Sequence, residues 1–164
     1  MRRPRVPTER GGMWKVIEAL ALTGTIATVV IAGAAWTSLP ARIPTHFGGD
    51  GTPDGWGGRW ALLVMPVVGV VMYAGLTILE RYPHIYNYPV RITEENAGRQ
   101  YRLAVDLITL LKLEMVWMFA TLTWGTVRVA RGDADGLGTF SVLFYLAALF
   151  GTITVYMVRA VRGR

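Results

Sequence analysis

The chain reads as an all-α integral membrane protein: four transmembrane helices, a structured Gly/Pro-rich extracytoplasmic loop and an amphipathic cytoplasmic connector. Three observations predict this. Of its 164 residues, 52% are hydrophobic and only 17% charged, whereas a soluble domain carries about 25% charged residues. Apolar runs of about 20 residues, the length that crosses a hydrocarbon core, recur along the chain. The basic residues collect in alternate connections, as they do when orientation is set by Lys and Arg on the cytoplasmic side.

Residues 1–13 form a basic, proline-interrupted tail with Arg2, Arg3, Arg5 and Arg10, read as disordered. The apolar run after it is too long for the core of a cleaved signal peptide, and no small-residue cleavage site ends it. The first span covers 16–36, with Glu18 its one charge, near the start. Gly24, Thr28 and Ala32 recur every four residues, and such a stripe lets another helix approach closely, in this chain or in a second copy. The second span covers 60–79. Pro66 inside it predicts a kink. Residues 80–106 form the cytoplasmic connector. Thr93 followed by Glu94 and Glu95 reads as a helix start. Glu95, Arg99, Arg102 and Asp106 then make a polar stripe opposite Ala97, Tyr101, Ala104 and Ile108. That amphipathic segment either lies on the membrane surface or runs straight into the third span, 107–127. The fourth span is 137–158, with Ala147 and Gly151 as a small pair. With both termini inside, twelve basic residues lie inside and four outside, which orients the spans and accounts for the net charge of +6 without nucleic acid.

The outer loop, 37–59, is the most distinctive stretch. Pro40, Pro44 and Pro53 fix φ, and six glycines permit tight turns. His46, Asp50 and Asp54 lie among them. One reading makes these three the ligands of a divalent metal such as zinc, which takes three or four such groups. The other has His46 bonding a backbone carbonyl while the aspartates stabilise turns beside glycine. The spacing matches no standard metal motif. With no cysteine, thiolate chemistry and Cys-ligated metal sites are excluded. Neither a serine elbow nor a phosphate loop is present, so the sequence leans away from an enzyme. Lys112 and Glu114 stand inside the third span, where ionisable residues cost about 2.5–3.5 kcal/mol each and mark a candidate relay. Against that, Lys112 is near enough to the span's end to snorkel to the headgroups, and Glu114 to pair with an arginine.

The pattern Trp36-x-x-Leu39-Pro40-x-x-Ile43-Pro44-Thr45-His46-Phe47-x-x-x-Gly51-x-x-Asp54-x-Trp56 resembles the bacterial domain-of-unknown-function family 1648, over roughly residues 20 to 75. The block Asn87-Tyr88-Pro89-Val90-x-Ile92-Thr93-Glu94-Glu95-Asn96-Ala97 resembles uncharacterised members of that group. The resemblance implies a small protein of the bacterial cytoplasmic membrane, related to the N-terminal region of SdpI-type immunity and signalling proteins. It implies no catalytic residues. The expected function is a non-enzymatic binding, sensing or immunity-type module. Its outer loop, through Pro44, Thr45, His46, Phe47, Asp54 and Trp56, would contact a ligand, peptide or protein partner. The alternatives are a metal-assisted enzyme built on His46, Asp50 and Asp54, and a small transporter or channel subunit built on Glu114. The lipid bilayer is the expected partner of this fold class, and a homo-oligomer is compatible with the small-residue stripes.

Overall fold

The structure, a computed structural model, describes residues 3–7 and 11–162. Its elements are helix α1 (Gly12–Ala35), strands β1 (Arg42–Phe47) and β2 (Pro53–Gly58), then helices α2 (Val64–Leu79), α3 (Ala97–Arg131) and α4 (Thr139–Arg162). Among the described residues, three stretches are long and apolar enough to cross a membrane: Gly12–Ser38, Arg59–Leu79 and Phe140–Arg162. The expected third span, 107–127, is not one of them; it lies within α3 and carries Lys112 and Glu114.

Instead α3 is the axis of the bundle. Its 35 residues, about 52 Å at 1.5 Å per residue, take in both the connector segment and the stretch read as the third span. The amphipathic segment is therefore no separate surface helix. Buried positions repeat along α3 with helical period (Ala97, Tyr101, Ala104, Val105, Thr109, Lys112, Val116), and α1, α2 and α4 all pack against it. The helix begins later than Thr93 suggests. Thr93 and Asn96 close a turn on each other, the Thr93 N–H donating to Asn96 Oδ1 at 2.9 Å and the Asn96 N–H to Thr93 Oγ1 at 3.3 Å. Glu94 and Glu95 precede the helix proper.

The face that α1 turns inward consists of small residues: Ala21, Gly24, Thr25, Thr28, Ala32 and Ala35. The stripe is thus used within the chain. A Cβ on Gly24 would stand 2.9 Å from Val116 Cγ2 and 3.1 Å from the Trp117 ring. The pair on α4 differs, since Gly151 faces open space. Pro66 makes no mid-helix kink. A 3₁₀ turn over Arg59–Leu63 precedes α2, which starts at Val64. Pro66 therefore falls in the first turn, where its missing N–H breaks no bond.

The expected disordered tail is also corrected where it is described. Tyr101 donates its hydroxyl to the Pro4 carbonyl at 3.0 Å, and the Arg3 guanidinium caps the carbonyls of His84 and Tyr86 and lies 5.5 Å from the Tyr88 ring centre. Arg2 and Arg10 lie outside the described residues. Burial pushes the Tyr88 phenol above its ordinary pKa. Its hydroxyl donates to the Pro83 carbonyl at 2.7 Å, and that of Tyr86 to the Leu79 carbonyl at 2.6 Å, so the tyrosine-rich segment is ordered.

Packing at Gly24 gives a direct test. Gly24→Leu should lower unfolding stability in detergent by about 1–3 kcal/mol, the usual penalty for overpacking. Gly33→Leu, on the same helix with nothing within 4 Å of its Cβ position, should leave the unfolding midpoint in place.

Candidate functional site

The signature loop folds as a β-hairpin. β1 and β2 pair antiparallel with Arg42 opposite Gly58, Ile43 opposite Gly57 and Pro44 opposite Trp56; the register then shifts, so that His46 faces Gly55 and Phe47 faces Pro53. Close packing across the strands needs glycine. A Cβ on Gly57 would meet Thr45 Cγ2 at 2.8 Å, and one on Gly55 would meet His46 Cβ at 2.9 Å. At the tip Gly51 takes φ 82°, the left-handed region. Its carbonyl accepts from the Leu137 N–H at 2.9 Å, tying the hairpin to the α3–α4 connection. At the base Ile43, Leu39, Ala32, Ala35, Leu62 and Val127 form one apolar core. Arg59 donates to the Pro40 and Trp36 carbonyls at 3.3 and 3.4 Å, and Arg131 donates to Ser38 Oγ at 2.6 Å. The hairpin is thus a fixed cap over one end of the bundle.

Beneath it lies a cavity of about 780 Å³. Pro44, Thr45, His46 and Phe47 of β1 form its roof. Trp60 of the 3₁₀ turn and Met65 at the start of α2 form one wall, and Leu137 and Val142 near the start of α4 are the other. The floor is α3, with Leu122, Thr123 and Thr126. Thr123 is buried, and its hydroxyl has no hydrogen-bond partner among the described residues. The hydroxyls of Thr109 and Thr121, by contrast, bond the carbonyl four residues back on the same helix. The roof residues are among those that the sequence singles out as candidates. Trp60, Leu122, Thr123, Leu137 and Val142 were not, because they come from separate segments whose apolar pattern reads only as membrane helix.

The three candidate metal ligands do not converge. His46 Nδ1 bonds Asp54 Oδ1 at 2.5 Å, with the two side chains 71% and 53% exposed. Asp50 accepts from the backbone N–H and the hydroxyl of Thr52 at 3.0 and 2.7 Å, closing the turn. Among the described residues, no group of three or more His, Asp or Glu side chains is arranged to hold a metal ion. This corrects the His46/Asp50/Asp54 set: loop geometry directs Asp50 to its own turn and leaves a pair. Trp56 is 48% exposed and does not line the cavity.

A second constellation lies toward the other end of the bundle. Lys112 on α3 is fully buried. Its Nζ lies 2.6 Å from Glu18 Oε2 of α1, 3.0 Å from Glu80 Oε1 just after α2, and 2.9 Å from Thr77 Oγ1 of α2. An ammonium has three N–H donors, and all three are met. Tyr73 donates to Glu18 at 2.8 Å and Thr109 to Glu80 at 2.9 Å. Lys112 therefore does not snorkel; it turns inward because two carboxylates already stand there. Among the described residues Glu114 does not pair with an arginine. Its Oε1 accepts from Thr152 of α4 at 2.5 Å, while Oε2 is buried without a partner among the described residues.

Comparison with known proteins bears on the hairpin region. Residues 23–70 match the family described as Domain of unknown function (DUF1648). The resemblance read from the Pro-x-x-x-Pro-x-His frame thus holds, and the DUF1648 region contains most of α1, the whole hairpin and the start of α2. The block 87–97 lies outside it. The chain is also similar to an uncharacterised protein of Archaeoglobus fulgidus, 26% identical over 129 residues, which cover 70% of this chain and 68% of that protein. That relative is archaeal. No solved structure matches.

Two predictions follow from these contacts. Lys112→Met should cost about 3–5 kcal/mol of stability, because it strands the buried Glu80 carboxylate and the partly buried Glu18 carboxylate. The triple change Glu18→Gln, Lys112→Met, Glu80→Gln should cost less than the single one, by chemical unfolding of the detergent-solubilised protein. In the hairpin tip, Thr52 holds the Asp50 carboxyl below its ordinary value of 3.8, chiefly through its backbone N–H. A depressed folded value means the turn gains from the carboxylate above pH 3.8 and loses that gain as pH falls through the lower folded value. The Thr52 amide resonance should therefore hold its position on acidification and move only below pH 3.8.

Proposed function

We propose that this protein is a non-enzymatic binding module of a cell membrane whose site is the cavity under the hairpin. The observation that carries the reading is that β1, the core of the signature pattern, roofs a cavity of about 780 Å³ whose other walls come from three helices. Most of the lining is apolar, with a few polar groups at Thr45, His46, Thr123 and Thr126, the character of a ligand site and not of a catalytic centre. Both α2 and α4 pack on α3 but scarcely touch each other, so the gap between them opens toward lipid. The ligand class this fits is a membrane-borne amphiphile, its chain between α2 and α4 and its polar end toward the hairpin.

In this reading α3 is a fourth span, its polar residues screened from lipid by the helices around it. The hairpin faces outward and both termini face the cytoplasm, in keeping with twelve basic residues at the terminal end and four at the hairpin end.

The test uses a photoactivatable fatty-acyl probe in lipid nanodiscs. Adducts should concentrate on Met65, Leu122 and Thr126, and should fall about tenfold in Leu122→Trp, which fills the cavity without touching the hairpin. Adducts spread evenly along exposed α4 positions such as Phe150 and Val155, with no change in the variant, would refute the reading.

A further inference from the structure

At the end of the bundle opposite the hairpin there is an open pocket of about 390 Å³. One side is the N-terminal segment, with Arg5. The others are the residues that follow α2, including Glu80, Arg81, Tyr82 and His84, and Tyr101 of α3. It is a built feature, because the Arg3 and Tyr101 contacts hold the N-terminal segment in place just before Arg5. No hydrogen bond or ion pair engages the guanidinium of Arg5, that of Arg81 or the His84 ring among the described residues. The ring of His84 meets only Tyr82, edge-on at 6.3 Å.

The one acidic residue in the lining, Glu80, does not cancel these charges. Its carboxylate is buried and already bonded to Lys112 at 3.0 Å and to the Thr109 hydroxyl at 2.9 Å. The pocket therefore presents two permanent cations and an imidazole to whatever enters. Beside it Ile85 is 60% exposed, an apolar side chain next to basic ones, as at a lipid headgroup surface.

We infer that this pocket binds one phosphate group of an anionic ligand through Arg5, Arg81 and His84. Two sources carry that chemistry, the headgroup of an anionic phospholipid and free phosphate. Arginine suits either, because its planar fork meets phosphate oxygens in pairs. The site is separate from the cavity under the hairpin and does not depend on that cavity holding a ligand.

Native mass spectrometry of the full chain in detergent tests this. Phosphatidylglycerol is titrated against phosphatidylcholine, with inorganic phosphate as competitor. Wild type should retain phosphatidylglycerol preferentially. Arg5→Gln and Arg81→Gln should each weaken that retention about fivefold, the weight of one basic residue at a headgroup surface. Arg162→Gln, at the same end but outside the pocket, should leave it unchanged. Competition by millimolar phosphate that is lost in Arg81→Gln would assign the site to free phosphate, and absence of competition would assign it to the headgroup. Equal retention of the two lipids, or an equal loss in Arg162→Gln and Arg81→Gln, would overturn the inference. Circular dichroism of each variant excludes unfolding as the cause.

Discussion

A fully buried ammonium must be met by acceptors, and the arrangement of the bundle follows from how Lys112 is met. Its three donors reach Glu18 on α1, Thr77 on α2 and Glu80 just beyond α2. Each comes from a different turn of chain, so the bond set fixes α1 and α2 in depth as well as in direction against α3. Apolar contacts alone would not do this. Leucine and valine faces slide past one another at small cost, and the small-residue face of α1 permits close approach without specifying where along α3 it occurs. Direction is what polar groups add in a low-dielectric interior, where an unmet charge is far more costly than in water.

At the hairpin end the interactions are of another kind. There the connection is apolar core and backbone: Ile43 and Leu39 against Ala32, Ala35 and Val127, and the Gly51 carbonyl against the Leu137 N–H. The helix α4 joins by scattered polar bonds, Gln100 to the Ala160 carbonyl at 2.9 Å, Glu114 to Thr152, and the hydroxyls of Thr121 and Tyr145 at 2.8 Å. Its side chains are largely exposed, with Phe140, Leu143, Phe144 and Phe150 pointing away from the bundle. A helix held so lightly on one side of α3, with α2 on another, leaves the gap that the hairpin roofs. The cavity is thus a consequence of topology, a four-helix chain in which two helices share a partner without sharing a surface.

What the sequence made legible was the class and the distinctive loop. Apolar run length located α1, α2 and α4 because those helices face outward and must be apolar all round. It placed a third span at 107–127 but not the full extent of α3, which the other helices largely enclose and which carries Lys112, Glu114, Gln100 and a row of threonines. Burial and polarity trade places there, and a hydropathy window cannot see the difference. The turn signals of Gly49-Asp50-Gly51 and Pro53-Asp54-Gly55 marked an ordered loop, yet not a hairpin, since Gly55, Gly57 and Gly58 argue against a strand on propensity. They are tolerated because His46, Thr45 and Trp60 pack where their side chains would be. The partners of Lys112 were out of reach from sequence, being 94, 35 and 32 positions away along the chain.

The signature residues divide accordingly into frame and surface. Pro44 is buried and stands opposite Trp56 in the ladder; Ile43 and Leu39 are core; Gly51 makes the turn that anchors the tip. These positions are explained by architecture alone. His46 is not. It is exposed, bonded to a less exposed Asp54, and placed on the strand that roofs the cavity. A histidine needed only to hold the hairpin would gain little from a carboxylate partner in water, where an exposed ion pair contributes about 0–1 kcal/mol. An oriented imidazole beside an apolar cavity, by contrast, can donate to or accept from the polar end of a ligand whose chain lies below. The pattern thus combines a rigid lid with one exposed, oriented imidazole on it, the arrangement that the proposed amphiphile site would use.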